Sequence, residues 1–425
     1  MKTSYPKEKI KIVLLEGVHP RGVQMMKAEG FSVESLPASP DESKLLKLVQ
    51  DCHVLGVRSK TLVPKAVLDN APRLLAIGCF CIGTDQVDLG YAREKGVPVF
   101  NAPFSNTRSV AELTIAEIVM LTRQVFTKSQ MMHQGVWDKS ASGSHEVRGR
   151  TLGIVGYGHI GSQVSVLAEA MGMRVLFYDL ISKMPHGNAK SVRTLAELLK
   201  ESDVVTLHVP ANDSTRDMIG AKQIKMMKKG SLLINNARGS VVQIGALAQA
   251  LKDQHIAGAA LDVFPYEPAS KGEAFESPMR GMPNVILTPH IGGSTEEAQE
   301  TIAMDVVDKL LKFVNVGTTT GAVNVPEVEL SLLAGDVSGS GTASDDEPAK
   351  VRKSHRILHF HRNVPGVLSQ VNGAIAKLGV NVTAQSLRTD EQIGYLVLDV
   401  DPSDAEAVRK QLLAIKETIR VRVLW

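Results

Sequence analysis

Arg238 in the run NNARG, Glu267 in DVFPYEP and His290 in TPHIGG are three chemically complementary groups, each set just beyond an apolar run of strand length. An imidazole with an unperturbed pKa of about 6.5 can take the proton of a secondary alcohol at neutral pH and return it in the reverse reaction. A carboxylate hydrogen-bonded to the other ring nitrogen orients the ring and raises its pKa. A guanidinium grips a 2-hydroxy carboxylate with forked geometry and polarises the developing carbonyl. His290 is therefore the candidate acid–base group, Glu267 its supporting carboxylate and Arg238 the anion clamp. Taken singly, they read as a turn histidine, a loop acid and a helix-start cation. Their joint position at consecutive strand ends is what points to oxidoreduction of a hydroxy acid.

Such a reaction needs a hydride acceptor, and the chain has a place for one. Leu152–Val155 reads as a buried strand, GYGHIG follows from Gly156 to Gly161, and an apolar helix pattern leads to a second strand, Val175–Tyr178, ending at Asp179. A pyrophosphate needs backbone N–H groups aimed at it from a helix N-terminus. A side chain at Gly156 or Gly158 would block the turn or the phosphate's approach, and Gly161 lets helix and strand pack closely. Asp179, 18 residues after Gly161 (179 − 161), is placed to bind an adenosine ribose and repel a 2′-phosphate, which favours NAD over NADP.

Composition narrows the remaining possibilities. With 425 residues, 44% hydrophobic, the chain can bury more than one core. Lys+Arg 48 against Asp+Glu 45 leaves +3 with no long basic block, so neither nucleic acid nor a membrane surface is the expected partner. No uninterrupted apolar stretch is long enough to span a bilayer, and the start, MKTSYPKEKIKIVLLEG, suits a first strand better than a secretory signal. Three cysteines, Cys52, Cys79 and Cys81, lack metal-ligand spacing; no metal is expected, and a reducing cytoplasm is the natural compartment.

Along the chain, Ile10–Leu15, Ser32–Leu36, His53–Val57 and Leu74–Ile77 are short apolar or alternating runs separated by helix-length segments, the pattern of a parallel α/β sheet. Arg58, Ser59 and Lys60 directly follow one of these strands, where such sheets bind ligands, and could hold an anionic substrate. Asn106 lies in the hinge-like lead-in Asn101–Thr107. A long amphipathic helix is expected from Arg108 towards Trp137, followed by Lys139 in a loop that could reach a neighbouring subunit. Further βα alternation runs to Thr288, and Ser294 with Glu297 reads as the capping box of another long helix that returns to the first domain. The expected domains are 1–106 with 294–330 for substrate, 107–293 for NAD, a Gly/Ser/Asp-rich linker 331–353, and 354–425, whose βαββαβ order is ferredoxin-like.

These motifs, together with IGCFCIGTDQVDL and FNAPFSNTRSVAEL, resemble the D-isomer-specific 2-hydroxyacid dehydrogenase family, and residues 354–425 resemble an ACT domain. The resemblance implies a Rossmann-type doubly wound NAD-binding domain inserted in a flavodoxin-like α/β substrate domain. It implies cofactor contacts at Gly156, Gly158, His159, Ile160, Gly161, Asp179, Asn236, Ala237, Arg238, Asp262, His290, Gly292 and Gly293. Family members that oxidise formate carry Gln where Glu267 stands. The serine-biosynthesis branch of the family implies 3-phosphoglycerate (3-phospho-D-glycerate) as substrate and 3-phosphohydroxypyruvate as product. It further implies a homo-oligomer, dimer or tetramer, with L-serine as effector at a module interface formed by His361, Asn363 and Asn381. The alternatives are a dehydrogenase for glyoxylate, lactate or 2-oxoglutarate, and a non-catalytic NAD(H)-sensing protein.

Overall fold

Lys11–Leu14 (β1), Ser32–Ser35 (β2), Val54–Val57 (β3), Ala76–Cys79 (β4) and Val99–Asn101 (β5) form a parallel sheet in the order β2-β1-β3-β4-β5. β1, β3 and β4 are almost continuously buried, as strands covered by helices on both faces must be. The order is that of the flavodoxin-like doubly wound fold. In the computed structural model, which describes residues 5–268, 272–331, 354–401 and 405–424, this sheet belongs to a unit made of Met1–Ser105 and Gln299–Trp425. The second unit is Asn106–Ala298. The linker expected at 331–353 lies, apart from Ser331, outside the described residues.

The second unit carries a seven-stranded parallel sheet. Its strands are Thr151–Val155 (β6), Arg174–Tyr178 (β7), Lys190–Ser191 (β8), Val204–Leu207 (β9), Ser231–Asn235 (β10), Ile256–Leu261 (β11) and Val285–Leu287 (β12). Their order is β12-β11-β10-β9-β6-β7-β8, so the chain reverses direction across the sheet between β6 and β9. A crevice opens at such a switch point beyond the strands' carboxyl ends, and the dinucleotide turn leaves β6 there.

Two local expectations are corrected. The helix from Thr107 does not run on to Trp137: it ends at Thr122, Gln124 turns left-handed at φ 54°, and a separate helix, Val125–His133, follows. The long helix Glu296–Val316 starts one residue later than Ser294 would require as its cap. Thr295 Oγ1 instead accepts the Ala298 N–H at 3.2 Å, the contact of a capping residue immediately before the first helical position.

His355–Arg362 (β13), Val382–Thr389 (β14), Ile393–Val400 (β15) and Thr418–Leu424 (β16) form an antiparallel sheet ordered β14-β15-β13-β16, with the helices Val367–Lys377 and Ala405–Leu413 between strands. Because side chains alternate across a sheet, the two faces make different contacts. Ile357, Leu396 and Leu398 join the core under the module's own helices. Leu358, Phe360, Tyr395 and Val397 join the core that Leu310, Phe313 and Val314 build beneath the first sheet. Polar contacts reinforce this second face. Tyr395 Oη donates to the Gly317 carbonyl at 2.6 Å and Arg422 to the Val314 carbonyl at 2.6 Å, while Arg356, ion-paired with Asp399 at 2.6 Å, donates to Val316 and Ser331. The Val314 and Val316 carbonyls are among those that the end of the helix Glu296–Val316 itself leaves unpaired, and Arg422 and Arg356 supply their partners.

Tyr395→Phe keeps the buried ring and removes only the donor to Gly317, so it should cost about 1–3 kcal/mol for a buried acceptor left unsatisfied. Urea unfolding of both proteins measures the difference; equal stabilities would show that this hydrogen bond contributes nothing net.

Candidate active site

The turn after β6 is built for close approach. Gly156 sits at φ 91°, and a Cβ there would lie 2.4 Å from the His208 carbonyl oxygen. A Cβ on Gly161 would lie 2.2 Å from the Gly156 carbonyl oxygen, so the helix His159–Ala170 can rest on the turn only with glycine at that position. Gly158, immediately before that helix, has the opposite surroundings: its Cβ would meet nothing within 4 Å, leaving open the side from which a phosphate would reach the helix's first N–H groups. Asp179 stands at the end of β7. Its Oδ2 accepts the Tyr157 N–H at 2.8 Å and its Oδ1 the Ile181 N–H at 3.0 Å, so the carboxylate also braces the turn, a duty the spacing alone did not reveal. A close-packed glycine turn with one open face and a carboxylate at the next strand end fits a dinucleotide.

The three candidate catalytic groups belong to one unit and act on one another. Glu267 Oε2 lies 2.8 Å from His290 Nδ1, and its Oε1 accepts the Phe264 N–H at 3.1 Å. The hydrogen bond that His290 donates to Glu267 raises the His290 pKa above its ordinary value, against partial burial and the nearby Arg238 charge, which both lower it. Burial opposes ionisation of Glu267, but its bond to His290 prevails and holds the carboxyl below its usual range. Both side chains are half exposed, His290 at 48% and Glu267 at 37%, as groups that must meet a substrate should be. Nδ1 is engaged by Glu267, so Nε2 is the nitrogen left to exchange a proton. Arg238 Nη1 donates to the Ala237 carbonyl at 2.8 Å. Next to it, a Cβ on Gly239 would lie 2.0 Å from the Phe264 backbone, so the glycine of NNARG brings the Arg238 and Glu267 segments into direct contact.

Asp262 fixes the segment bearing His290. It is 1% exposed; Oδ1 accepts from Thr288 Oγ1 at 2.6 Å and the Ile291 N–H at 2.7 Å, and Oδ2 accepts the Gly292 N–H at 2.7 Å. His290 between them is left-handed at φ 55°. Asn235 closes the NNARG turn by donating to the Arg238 carbonyl and accepting the Ala237 N–H, and Asn236 reaches the helix Thr107–Thr122 through Thr114 and Glu117. Gly293 sits against the side chain of Asn106.

The proposed substrate residues divide between the units. Arg58, Ser59 and Lys60 follow β3 in the first, and Asn106 and Lys139 lie in the second. A residue absent from the sequence argument organises the first group: Glu16, 9% exposed at φ 63°, accepts the N–H groups of Arg58, Lys60 and Thr61 at 3.1, 3.0 and 2.9 Å, while its own carbonyl accepts from Arg58 Nη1. Only its position after β1, beside a glycine, hinted at it. Gln86 Nε2 adds a bond to the Arg58 carbonyl at 2.6 Å.

In the C-terminal module His361 is buried under Gly394, with Nδ1 donating to the Arg362 carbonyl. Asn363 and Asn381 are exposed, but they are not together. Asn363 donates to the Asp390 carbonyl before β15 begins, and Asn381 to Asp401 just past its end. Across eight strand residues that is a separation on the order of 20 Å. Among the described residues no cluster of three or more His, Cys, Asp or Glu side chains could hold a metal, and no helix is long and apolar enough to cross a membrane.

A glycine-rich dinucleotide turn, with Arg238 and a Glu267–His290 pair at neighbouring strand ends, defines an NAD-dependent dehydrogenase of hydroxy acids. Residues 115–292 match the model of the D-isomer specific 2-hydroxyacid dehydrogenase NAD binding domain, and 357–420 that of the AHAS small subunit-like ACT domain. The chain is 50% identical over 423 residues to a D-3-phosphoglycerate dehydrogenase of Dictyostelium discoideum, covering 100% of this chain and 99% of that one. It is 49% identical over 427 residues to that of Escherichia coli (strain K12), covering 100% of each. Among solved structures, D-lactate dehydrogenase from Aquifex aeolicus, complexed with NAD and lactic acid, superimposes with a TM-score of 0.63 at 30% identity, over 72% of this chain and 95% of that one. The chain belongs to the D-3-phosphoglycerate dehydrogenase family.

Glu267→Gln removes the charge that raises the His290 pKa. The pH at which the reductive reaction loses its protonated imidazole, and the oxidative reaction gains its neutral one, should both move down. Rate profiles in the two directions check this; an unmoved limb would detach Glu267 from the titration of His290.

Proposed function

We propose that the chain oxidises 3-phospho-D-glycerate to 3-phosphohydroxypyruvate, the first step towards L-serine, in the cytoplasm. The Glu267–His290 pair beside Arg238 carries this reading, supported by end-to-end similarity to D-3-phosphoglycerate dehydrogenases. Bound NAD supplies the hydride acceptor. Arg238 holds the substrate carboxylate and favours the developing carbonyl, and His290 Nε2 takes the hydroxyl proton as the C–H hydride departs. Glu267 stabilises the imidazolium that results. In reduction His290 starts protonated and returns the proton. Turnover of 3-phosphohydroxypyruvate with NADH, followed at the NADH absorbance, tests the assignment. A higher kcat/KM for glyoxylate, lactate or 2-oxoglutarate in the matching direction would replace the substrate, and no turnover of any would favour a sensing role.

Arg58, Lys60 and Lys139 are the proposed phosphate contacts. Replacing each with Ala should raise KM for phosphohydroxypyruvate more than for a phosphate-free oxo acid, since only the former loses a charge-assisted contact. Equal effects on both substrates would place the phosphate elsewhere.

L-Serine is the proposed effector, bound between two C-terminal modules. Asn363 and Asn381 stand at opposite ends of β15, so one module cannot offer both to one amino acid, whereas a paired copy could, and the exposed edge strand β14 is available for that pairing. Serine titrations of activity and binding in the unmodified enzyme, Asn363→Ala and Asn381→Ala should show binding lost in both variants. Binding retained in both would refute the site.

A further inference from the structure

The helix Thr107–Thr122 buries an acid where it packs on the sheet. Glu117 is 0% exposed and lies among Val110, Ala111, Thr114, Ile118 and Leu121 on the covered face of the helix. Its Oε2 accepts from Asn236 Nδ2 at 2.7 Å, and the same amide nitrogen donates to Thr114 Oγ1 at 3.1 Å. Both protons of the amide are thereby used. The other half of each group is unsatisfied: Glu117 Oε1 and Asn236 Oδ1 are buried, and neither has a hydrogen-bond partner among the described residues. Both atoms are acceptors when Glu117 is ionised, and two buried bare acceptors are costly. One proton on Oε1 changes this, because a carboxylic acid and a carboxamide pair reciprocally, each donating once and accepting once.

We propose that Glu117 is a positioning residue of the dehydrogenase: as the neutral acid it pairs with Asn236 and holds the NNARG turn, and with it Arg238, in the substrate-binding geometry. Asn236 is two residues before Arg238, and the intervening Ala237 has its N–H bound to Asn235 and its carbonyl bound to Arg238 itself. The turn is thus tied locally by Asn235 and to the helix by Asn236. Losing the second tie leaves Arg238 on a turn anchored at one side. The electrostatics agree with the geometry: burial above all, with a smaller contribution from the charge of Asp262 at the end of β11, raises the Glu117 carboxyl from its usual 4.5 to about 7 against the opposing bond from Asn236. From the turn after β10 the facing group is the neutral Asn236. Arg238 bears on Glu267 and His290 instead. The acid therefore changes state within the physiological range.

This inference rests on Arg238 as the substrate clamp, but one of its two readouts needs no substrate. A carboxyl whose folded pKa is raised stabilises the fold fully below its unfolded pKa and loses that contribution as pH rises through the folded value. Glu117→Gln imitates the neutral acid at every pH, so the Tm of the variant relative to the unmodified protein should climb from pH 5 to pH 8. In kinetics, Glu117→Ala should raise KM for the oxo acid several-fold at pH 6.5, and Glu117→Gln should restore it. Between pH 6.5 and 8.5 the KM of the unmodified enzyme should rise with a component that Glu117→Gln lacks. Asn236→Ala, which removes the partner and spares the acid, should show the raised KM without that component. A Tm difference independent of pH, or KM profiles that superimpose for the unmodified enzyme and Glu117→Gln, would overturn the proposal. A widening Tm difference without turnover of any hydroxy or oxo acid would instead retain the acid–amide pair and reject the enzymatic reading beneath it.

Discussion

Asp262 is the constraint on which the catalytic arrangement depends. Three donors converge on this one buried carboxylate, at distances of 2.6–2.7 Å, from the segment that carries His290. A left-handed backbone at a non-glycine residue costs free energy and persists only where its surroundings over-determine it. The bonds to Ile291 and Gly292, just after His290, supply that determination. They turn the imidazole back towards Glu267, and the Glu267 bond then selects which ring nitrogen faces outward. Removing Asp262 would release the loop first and the acid–base pair as a consequence.

Glu16 repeats the device in the other unit. It too is left-handed, and its carboxylate gathers three backbone N–H groups from the segment after β3. Such charge-assisted bonds are stronger than neutral ones, and here they set the path of a loop bearing two cations. Asp179 does the same on a smaller scale for the turn after β6. In each case a carboxylate at a strand's carboxyl end is spent on main-chain donors, which lets an irregular loop be as well defined as the strands beside it. Hydrogen bonds of this kind replace the ladder that loops lack.

What could be read from the sequence was whatever leaves a periodic or compositional trace. The buried runs that became β1, β3, β6, β9 and β10, the GYGHIG turn with its terminal Asp179, and the βαββαβ order of the last module were legible because burial on both faces, glycine spacing and alternation are visible in one dimension. β5 and β8 were not read, β8 having only two residues. The ends of helices were legible only approximately: Ser294 and Thr295 are both capping types, and Gln124 carries no breaker signal although it takes the left-handed conformation. Glu16, Glu117 and the bracing role of Asp262 were illegible for a different reason. A buried carboxylate is defined by donors distant in sequence, 42 to 45 residues away for Glu16 and 119 for the Asn236–Glu117 pair, and nothing local announces them.

The C-terminal module joins a structural contact to the proposed effector site on one small sheet. One face is committed: Tyr395, Arg356 and Arg422 grip carbonyls at residues 314–317 and 331, and Leu358 and Phe360 are part of the core beneath the first sheet. The other face is covered by the module's own helices. β14 is the largely exposed strand of the sheet, and with Asn363 and Asn381 at opposite ends of β15 the amino-acid site proposed above would be completed only by a partner. Inhibition by such an effector would then require it to bind one arrangement of paired modules more tightly than another, a coupling of typically about 1–3 kcal/mol. The module holds the end of the helix Glu296–Val316 by buried hydrogen bonds as well as apolar packing. A rearrangement of the pair would therefore have either to break those bonds or to carry the helix end with it, and the second costs less, because a buried guanidinium left without its acceptors is heavily penalised.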